Sequence, residues 1–166
     1  MIIGIGGISR SGKTKFSRKV SKWIRDQGKT VLVLHQDDFV RPESEIPLIK
    51  DHIDWEVPAS LDWKRWDTAI REAQREAEVV IAEGLMVFRE EDSDIRFDRK
   101  VLVDISEETF FCRKREDLRW GREPEWYIQY IWDSYLIYGR PEGFEGLTIS
   151  GERKVEEEVW RSYLSN

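Results

Sequence analysis

The octapeptide GISRSGKT at residues 7–14 combines the residue types that hold a polyphosphate in nucleotide-binding proteins. Gly7 and Gly12 allow the backbone to fold around an anion with its N–H groups pointing inward. The two residues after the second glycine add a cation and a hydroxyl. Lys13 would reach the β and γ phosphates, and the Thr14 hydroxyl would ligate Mg²⁺. The spacing G-x-x-x-x-G-K-[ST] therefore predicts a nucleoside triphosphate site.

The segments on either side of this motif supply the context that it requires. The apolar run at residues 1–6 predicts a buried strand, and from Gly12 onward the apolar residues follow a helical period. A helix that starts at the phosphates points its positive dipole end at them. The alternative is a glycine-rich turn with chance residues, and the strand–loop–helix order argues against it. The predicted contacts with the triphosphate are Gly7, Ile8, Ser9, Arg10, Ser11, Gly12, Lys13, Thr14 and Lys15.

Carboxylates follow two other predicted strands. Asp37 and Asp38 come directly after residues 30–35, which we place beside the first strand, and Glu83 lies within the apolar run at residues 79–88. In open α/β sheets the carboxyl ends of the strands line the ligand crevice. Asp37 is therefore predicted to accept the proton of an alcohol that attacks the γ phosphate, and Glu83 to serve Mg²⁺. The alternative for the two aspartates is a turn cap, and we expect a structural role for Asp38.

Nucleotide binding alone leaves three classes of protein open: a molecular switch, a motor or pump ATPase, and a kinase. A GTPase switch carries N-K-x-D and D-x-x-G segments, and neither occurs in this sequence. Hydrolysing ATPases also have an acidic residue at the end of the third strand, so Glu83 does not separate the remaining classes. The position of Asp37 favours a kinase.

Strands alternate with helices along the whole chain. The five predicted strands span residues 1–6, 30–35, 79–88, 100–105 and 146–150. This alternation predicts an α/β fold in which a parallel five-stranded sheet is flanked by helices on both faces. Residues 40–58 contain three prolines and many charges, which predict a long functional loop. A terminal helix at residues 152–164 is expected to bury Val155, Val159 and Tyr163.

Composition narrows the kind of protein further. The chain has 166 residues, a formal net charge of −6 and no long block of one sign, which argues against a general nucleic-acid binder. No stretch approaches the roughly 18 apolar residues of a membrane span. The single cysteine, Cys112, excludes an internal disulfide and fits a reducing cytoplasm, and we expect it to be buried. We therefore expect one cytoplasmic domain over residues 1–166 that binds neither nucleic acid nor membranes, and the sequence carries no indication of oligomeric state.

Four segments, taken in order, carry a resemblance to a known family. They are GISRSGKT, QDDFVRPESEI at residues 36–46, DWEVP at residues 54–58 and IAEGLMVF at residues 81–88. Together they resemble the nicotinamide riboside kinases, within the wider uridine kinase-like group of P-loop kinases, over residues 2–164. The QDDF-x-x-PESEI stretch is specific to this family, whereas many proteins share the P-loop. The resemblance implies the P-loop nucleoside triphosphate hydrolase fold with a short lid, and ATP and Mg²⁺ as cofactors.

The resemblance also implies roles for individual residues. Asp37 would be the base for a ribose 5′-hydroxyl, and Glu83 would help to hold Mg²⁺. Trp55 would pack on the nucleobase, while Glu56 would bond the ribose hydroxyls. The basic helix that leads into the lid would supply phosphate-binding arginines. One or two of its basic residues are expected to bind phosphate. The best matches are Arg115 and Arg119, from a cluster of Arg113, Lys114, Arg115, Arg119 and Arg122.

The sequence departs from the family pattern in two places. The family usually has Tyr-Asp where this chain has Trp55-Glu56, which changes the size of the pocket. The lid, at about residues 118–127, is shorter, and Trp120 and Trp126 are both candidates for the aromatic residue that closes over the base. The alternatives for the pair are an ordinary loop anchor at Trp55 and a surface salt bridge at Glu56.

We therefore expect ATP- and Mg²⁺-dependent phosphorylation of the 5′-hydroxyl of a small ribonucleoside, most readily nicotinamide riboside, with Asp37 and Lys13 as catalytic residues. A uridine/cytidine kinase, or a kinase of another small alcohol such as pantothenate, is the alternative among enzymes. From a different class, the alternative is a nucleotide-sensing protein without kinase activity, against which the intact Lys13, Asp37 and Glu83 argue. His35 and His52 show no metal-binding pattern, and we expect structural roles for both.

Overall fold

The computed structural model describes residues 1–119 and 121–165. That part of the chain contains seven strands, which are β1 (Ile2–Gly6), β2 (Val31–His35), β3 (Leu48–Ile49), β4 (His52–Ile53), β5 (Val79–Gly84), β6 (Arg99–Asp104) and β7 (Leu147–Ser150). Its α-helices are α1 (Lys13–Arg25), α2 (Trp63–Glu76), α3 (Glu107–Arg115), α4 (Glu125–Ser134) and α5 (Glu157–Ser165). Five strands form one parallel sheet in the order β2-β5-β1-β6-β7. The predicted α/β fold with a five-stranded parallel sheet is confirmed.

The order of the strands differs from the sequence-based prediction in one place. β5 lies between β1 and β2, so the prediction that β2 neighbours β1 is wrong. The burial of the two strands explains this order. Every residue of β5 is buried, as a central strand of a covered parallel sheet requires, whereas β2 is only partly buried after its first residue and forms an edge.

The two faces of the sheet are covered by different helices. One face carries Ile3, Ile5 and alternate residues of the neighbouring strands, which pack against α1 and α5 around Trp160. The other face carries Val80, which packs with α2 around Trp66. Removal of this apolar surface from water is the main force that holds the helices on the sheet.

A third cluster joins α3 and α4 to the loop that follows β1. It contains Ile8 of that loop, Phe110 of α3 and Ile131 of α4. α4 continues into a π-helical turn at Tyr135–Gly139. Among the described residues, no helix is both long enough and apolar enough to cross a membrane.

Two segments of the middle of the chain differ from their predicted form. The expected loop at residues 40–58 contains the short antiparallel hairpin β3–β4 and a 3₁₀ turn at Glu43–Glu45. β5 ends at Gly84 rather than at residue 88, because the chain turns there. The N–H of Met86 in that turn donates to Oε1 of Gln36 over 2.9 Å.

Ser106 is the N-cap of α3, and its Oγ accepts the N–H of Thr109 over 3.2 Å. Its inward line consists of Phe110 and Lys114, which lie four residues apart and are both buried. Cys112 lies two positions from each of them and points to the opposite side. It is exposed, so the prediction that Cys112 is buried is wrong.

The terminal helix also starts later than predicted, at Glu157 rather than at residue 152. Glu152 accepts hydrogen bonds from Ser106 N and Oγ instead, over 2.6 and 2.7 Å, which fixes it to the start of α3. This tether holds Glu152 outside the helix, at the start of α3.

The buried face of α5 also differs from the predicted one. Trp160 and Leu164 are buried, while Val159 is 48% exposed, so its predicted burial is wrong. Val155 and Tyr163 pack against the same cluster, as expected. At about 100° per residue, Val159 lies about 120° from the middle of the face formed by residues 160 and 164, whereas Tyr163 lies about 80° from it and still reaches the core.

Candidate active site

The loop between β1 and α1 has the backbone geometry of a phosphate-binding nest. Arg10 and Gly12 adopt left-handed conformations, with φ of 65° and 98°. Gly7 lies so close to β6 that a β-carbon there would stand 2.5 Å from the Val103 carbonyl oxygen. Turns of this kind let successive N–H groups face one point, which suits an anion. All the residues predicted to contact the triphosphate, 7–15, lie on this loop and the first turn of α1.

The first turn of α1 is open to a ligand. Gly12 stands at its N-cap, and no side chain among the described residues caps the turn. Lys13 and Thr14 are partly buried, whereas Lys15 is exposed. Uncapped N–H groups, the helix dipole and the Lys13 ammonium all favour a polyphosphate at this point.

Glu83, near the end of β5, is 3% exposed and lies against the first turn of α1. Its Oε1 accepts a hydrogen bond from Thr14 Oγ1 over 2.7 Å and lies 2.6 Å from His35 Nδ1. Its Oε2 is buried and has no hydrogen-bond partner within residues 1–119 and 121–165. The structure thus brings together Thr14 and Glu83, the two residues predicted to hold the metal.

This pair fits a magnesium ion. A buried carboxylate oxygen without a donor is a suitable ligand for a hard cation, and Mg²⁺ takes its remaining ligands from phosphates and water. The Thr14 hydroxyl donates to Glu83 and so keeps its lone pairs available. Within the described part of the chain there is no group of three or more His, Cys, Asp or Glu that could hold a metal ion.

Asp37 lies on a 3₁₀ turn, Gln36–Phe39, directly after β2. The turn is fixed on both sides, since Gln36 is buried and bonded to the turn after β5, and the Asp38 carbonyl accepts from Arg65 over 3.0 Å. The Asp37 side chain is exposed, and no described side chain caps the turn. The carboxylate is therefore exposed and held by its backbone at the carboxyl end of β2.

Trp55 and Glu56 follow the hairpin β3–β4. Trp55 is 36% exposed, so its ring is not a buried anchor. Glu56 is partly buried, and the pKa of its carboxyl is raised to about 7, mainly by burial. The Lys114 ammonium lowers this pKa, and three carboxylates raise it, those of Asp54, Glu123 and Asp37.

Two contacts of buried groups hold this side of the crevice together. Asp54 accepts a hydrogen bond from Tyr130 of α4 over 2.6 Å. Lys114, on α3, lies 2.8 Å from the carboxylate of Glu123. Sequence reasoning identified neither pair, although Lys114 stands on the inward line of α3 four residues after Phe110, a signal that could have marked it as buried.

The two predicted phosphate-binding arginines have different surroundings. Arg115 binds Glu125 on the surface, with Nε at 3.1 Å and Nη2 at 2.9 Å. Arg119 binds Asp117 with Nε at 2.8 Å and Nη2 at 2.6 Å, and these hydrogen bonds hold the pKa of Asp117 well below its ordinary range. Asp117 also lies 3.7 Å from Arg10 of the phosphate loop. Arg119 is thus linked to the loop, whereas Arg115 is not.

Arg113 contacts the phosphate loop directly, although Arg115 and Arg119 were the favoured residues of the basic cluster. Its Nη1 donates to the Arg10 carbonyl over 3.0 Å and its Nη2 to the Gly151 carbonyl over 2.9 Å. These bonds tie α3 to the loop and to the turn after β7. Three basic residues stand side by side at the end of α3, and only the packing of the helix decides which one turns toward the loop.

Trp126, on α4, packs against the hairpin rather than standing free. Its ring centre lies 3.9 Å from Lys50 Nζ and 5.0 Å from the His52 ring, which also stacks on Tyr127. His52 therefore helps to join the hairpin to α4, which accords with a structural role. The second candidate for the aromatic lid residue, Trp120, lies outside the described residues.

The fold and these contacts define a class of protein. A parallel sheet whose first strand runs through a glycine-rich loop into a helix, with a β5 carboxylate bonded to the threonine of that loop, is the arrangement of P-loop nucleotide-binding proteins. No protein-family model matches the chain.

Individual relatives identify the family within this class. Human nicotinamide riboside kinase 1 is 28% identical over 156 aligned residues, which cover 82% of this chain and 75% of that protein. A uridine kinase of Deinococcus deserti is 31% identical over 167 aligned residues, which cover 84% of this chain and 78% of that protein. A solved structure of a possible uridine kinase from Bacillus stearothermophilus has the same fold, with a TM-score of 0.61 and 19% identity. The match covers 90% of this chain and 88% of that one. The chain belongs to the uridine kinase-like family of P-loop kinases, with the nicotinamide riboside kinases among its relatives, as the resemblance predicted.

Proposed function

We propose that the protein phosphorylates the 5′-hydroxyl of a small ribonucleoside with ATP and Mg²⁺, and that nicotinamide riboside is the leading acceptor. One arrangement supports this most: the phosphate loop, the Thr14–Glu83 pair and the exposed Asp37 carboxylate lie at the carboxyl ends of the strands. Donor, metal and acceptor alcohol can meet only where such groups face one crevice. The relatives add support, since they are named as a nicotinamide riboside kinase and a uridine kinase.

Residues 7–15 would hold the donor nucleotide through backbone N–H groups and the Lys13 ammonium. When bound by Thr14 and Glu83, Mg²⁺ would neutralise oxygens of the β and γ phosphates. Lys13 would remain close to the same oxygens as charge develops on the transferred group. Charges that are already in position need no reorganisation during the reaction, and this is the main source of acceleration that the chain itself offers.

On the acceptor side, Glu56 would accept hydrogen bonds from the ribose hydroxyls, and the Trp55 ring would offer a flat surface to the base. Asp37 would accept the proton of the 5′-hydroxyl as its oxygen bonds to the γ phosphorus. These groups would align the alcohol with the γ phosphate. The reaction then takes place within one complex rather than between two freely diffusing molecules.

The charges around Glu56 favour a cationic base over a neutral one. Asp54 and Glu123 add two carboxylates to that of Glu56, against the ammonium of Lys114. The pyridinium ring of nicotinamide riboside is positively charged, uracil and cytosine are neutral, and pantothenate is an anion. Attraction between opposite charges in a partly buried site therefore supports nicotinamide riboside, with uridine or cytidine as the second candidate.

Residues 118–127 would form a lid whose closure excludes water, which otherwise competes with the alcohol for the phosphoryl group. Arg119 is the better-placed of the two predicted lid arginines, because its partner Asp117 already contacts the phosphate loop. Arg115 would first have to leave its surface partner. Trp126 is the described candidate for the aromatic residue that closes over the base.

We further propose that residues 1–166 act as one kinase domain in the cytoplasm, with a small nucleoside and no nucleic acid as partner. A nucleotide sensor without turnover is the candidate from another class. The exposed Asp37 carboxylate after β2 argues against it, since a sensor needs no base at the acceptor position.

The test is ADP release from Mg-ATP with nicotinamide riboside, uridine, cytidine, pantothenate or no acceptor. We expect the highest kcat/KM with nicotinamide riboside. Its 5′-deoxy analogue is the matched control, and it should give no ADP above the acceptor-free rate. ADP release that is equal with and without acceptor would indicate an ATPase, and nucleotide binding without turnover on any acceptor would indicate a sensor.

A further inference from the structure

His35 and Glu83 are paired residues of two neighbouring parallel strands. In the register of β2 with β5, His35 lies opposite Glu83, and Val33 lies opposite Ile81. Side chains alternate along a strand, so His35 and Glu83 share the face on which Val33 and Ile81 pack against α1. At the carboxyl ends of the strands, this face meets Thr14 in the first turn of that helix.

Two donors converge on a single oxygen of Glu83. Thr14 Oγ1 donates to Oε1 over 2.7 Å, and His35 Nδ1 lies 2.6 Å from the same atom. A carboxylate only accepts hydrogen bonds, so the imidazole here carries its hydrogen on Nδ1. The two bonds fix the rotation of the carboxylate. They also fix the direction of Oε2, which is buried and has no partner in the described part of the chain.

We propose that His35 is a positioning residue whose hydrogen bond to Oε1 holds Oε2 of Glu83 toward the metal ion of Mg-ATP. This inference rests on the proposed metal role of Glu83. Partners of this kind orient metal-binding side chains in many proteins, and loss of one lowers metal affinity by about 10–100-fold. Thr14 cannot supply this support alone, because its own oxygen is a proposed metal ligand. Of these two donors to Glu83 Oε1, His35 is the one that is not itself a proposed metal ligand.

The test compares His35→Leu, which removes the donor, with His35→Asn, which keeps an N–H close to the position of Nδ1. The side chain is 38% exposed, so leucine leaves no sealed cavity. The affinity for a fluorescent ATP analogue is measured with Mg²⁺ and in EDTA, without acceptor. We expect His35→Leu to reduce the gain in affinity that Mg²⁺ provides by about 10-fold or more and to leave the affinity in EDTA unchanged. His35→Asn should recover most of the gain.

The chain offers a matched control in His52, whose Nδ1 lies 2.8 Å from a carboxylate oxygen of Asp51, on the hairpin. His52→Leu should leave the Mg²⁺-dependent gain unchanged. In a Glu83→Gln background, His35→Leu should have no further effect, because it acts through Glu83. Equal losses with Mg²⁺ and in EDTA, an undiminished gain, or a full additional loss in the Glu83→Gln background would overturn the inference. Since the assay contains no acceptor, its result is independent of whether the proposed kinase substrate is right.

Discussion

The donor side and the acceptor side of the crevice are built in different ways. The donor side, residues 7–15 with Glu83, follows two fully buried central strands, and strand register and loop backbone place its groups. The acceptor side, residues 54–56 with Lys114 and Glu123, depends on ion pairs and hydrogen bonds between side chains distant in sequence, such as Asp54 with Tyr130. Backbone placement tolerates little change, whereas side-chain pairs can be replaced one at a time. We infer that the donor side fixes the reaction and the acceptor side selects the substrate.

Lys13→Ala should have the largest effect and should not distinguish between acceptors. The loss of a cation at the transferred phosphoryl group is expected to lower kcat/KM by about 10³–10⁵, with ATP affinity reduced as well. Steady-state kinetics with each acceptor of the panel measure this. Lys15→Ala is the control, because Lys15 would contribute only its backbone N–H, which the change keeps, and its exposed side chain should matter little. Turnover close to that of the wild type in Lys13→Ala would remove Lys13 from the phosphate site.

Lys114→Met should affect the acceptor side alone. The Lys114 ammonium lowers the pKa of Glu56, so its removal raises that pKa further and leaves most of the Glu56 carboxyl protonated at neutral pH, where it is a weaker acceptor for the ribose hydroxyls. We expect KM for the nucleoside to rise about tenfold, which corresponds to about 1.4 kcal/mol, while the affinity for ATP stays the same. Lys114→Arg keeps the charge and should restore most of the affinity. If ATP binding fell in parallel with nucleoside binding, the two sides would not be separable at this residue.

Glu56 should give the acceptor side a dependence on pH near neutrality. Burial and neighbouring carboxylates raise its pKa to about 7, so kcat/KM for nicotinamide riboside should increase through pH 7 as the ionised carboxylate forms. Glu56→Gln should flatten this rise. Because the folded state holds the proton more tightly than the unfolded state, the free energy of unfolding should decrease from pH 4.5 to 7, and less so in the variant. Urea unfolding at several pH values measures the second effect, and identical curves for both proteins would contradict the assignment.

The smallest effect is expected at Arg115. This residue binds Glu125 on the surface, where an ion pair contributes little, so Arg115→Ala should change kcat by no more than about twofold. Arg119→Ala is the comparison, and it should lower kcat about tenfold or more, because an arginine near the phosphate loop can stabilise the transferred phosphoryl group. A larger loss at Arg115 than at Arg119 would reverse this assignment of the lid arginines.

The same division explains what the sequence could predict. The loop, its flanking strand and helix, and the Thr14–Glu83 pair were accessible, because local spacing and strand ends determine them. The place of β5 between β1 and β2 could not be predicted, since the sequence contains no local signal for strand order. The buried Lys114 and the bond from His35 to Glu83 depend on helix packing and strand register, which appear only in the assembled fold. Cys112 is a further example. Its apolar neighbours in the sequence suggested burial, but the packing of α3 turns it to the exposed side of the helix.

The most direct test of the central claim is Asp37→Asn, measured for turnover and for ATP affinity in the same preparation. Asparagine keeps the size of an exposed side chain on a turn that is held by its neighbours, so the fold should not change. We expect kcat with nicotinamide riboside to decrease by about 10²–10⁴, while Mg-ATP binds as it does to the wild type. An unchanged kcat would show that Asp37 is not the base and that the acceptor alcohol lies elsewhere in the crevice.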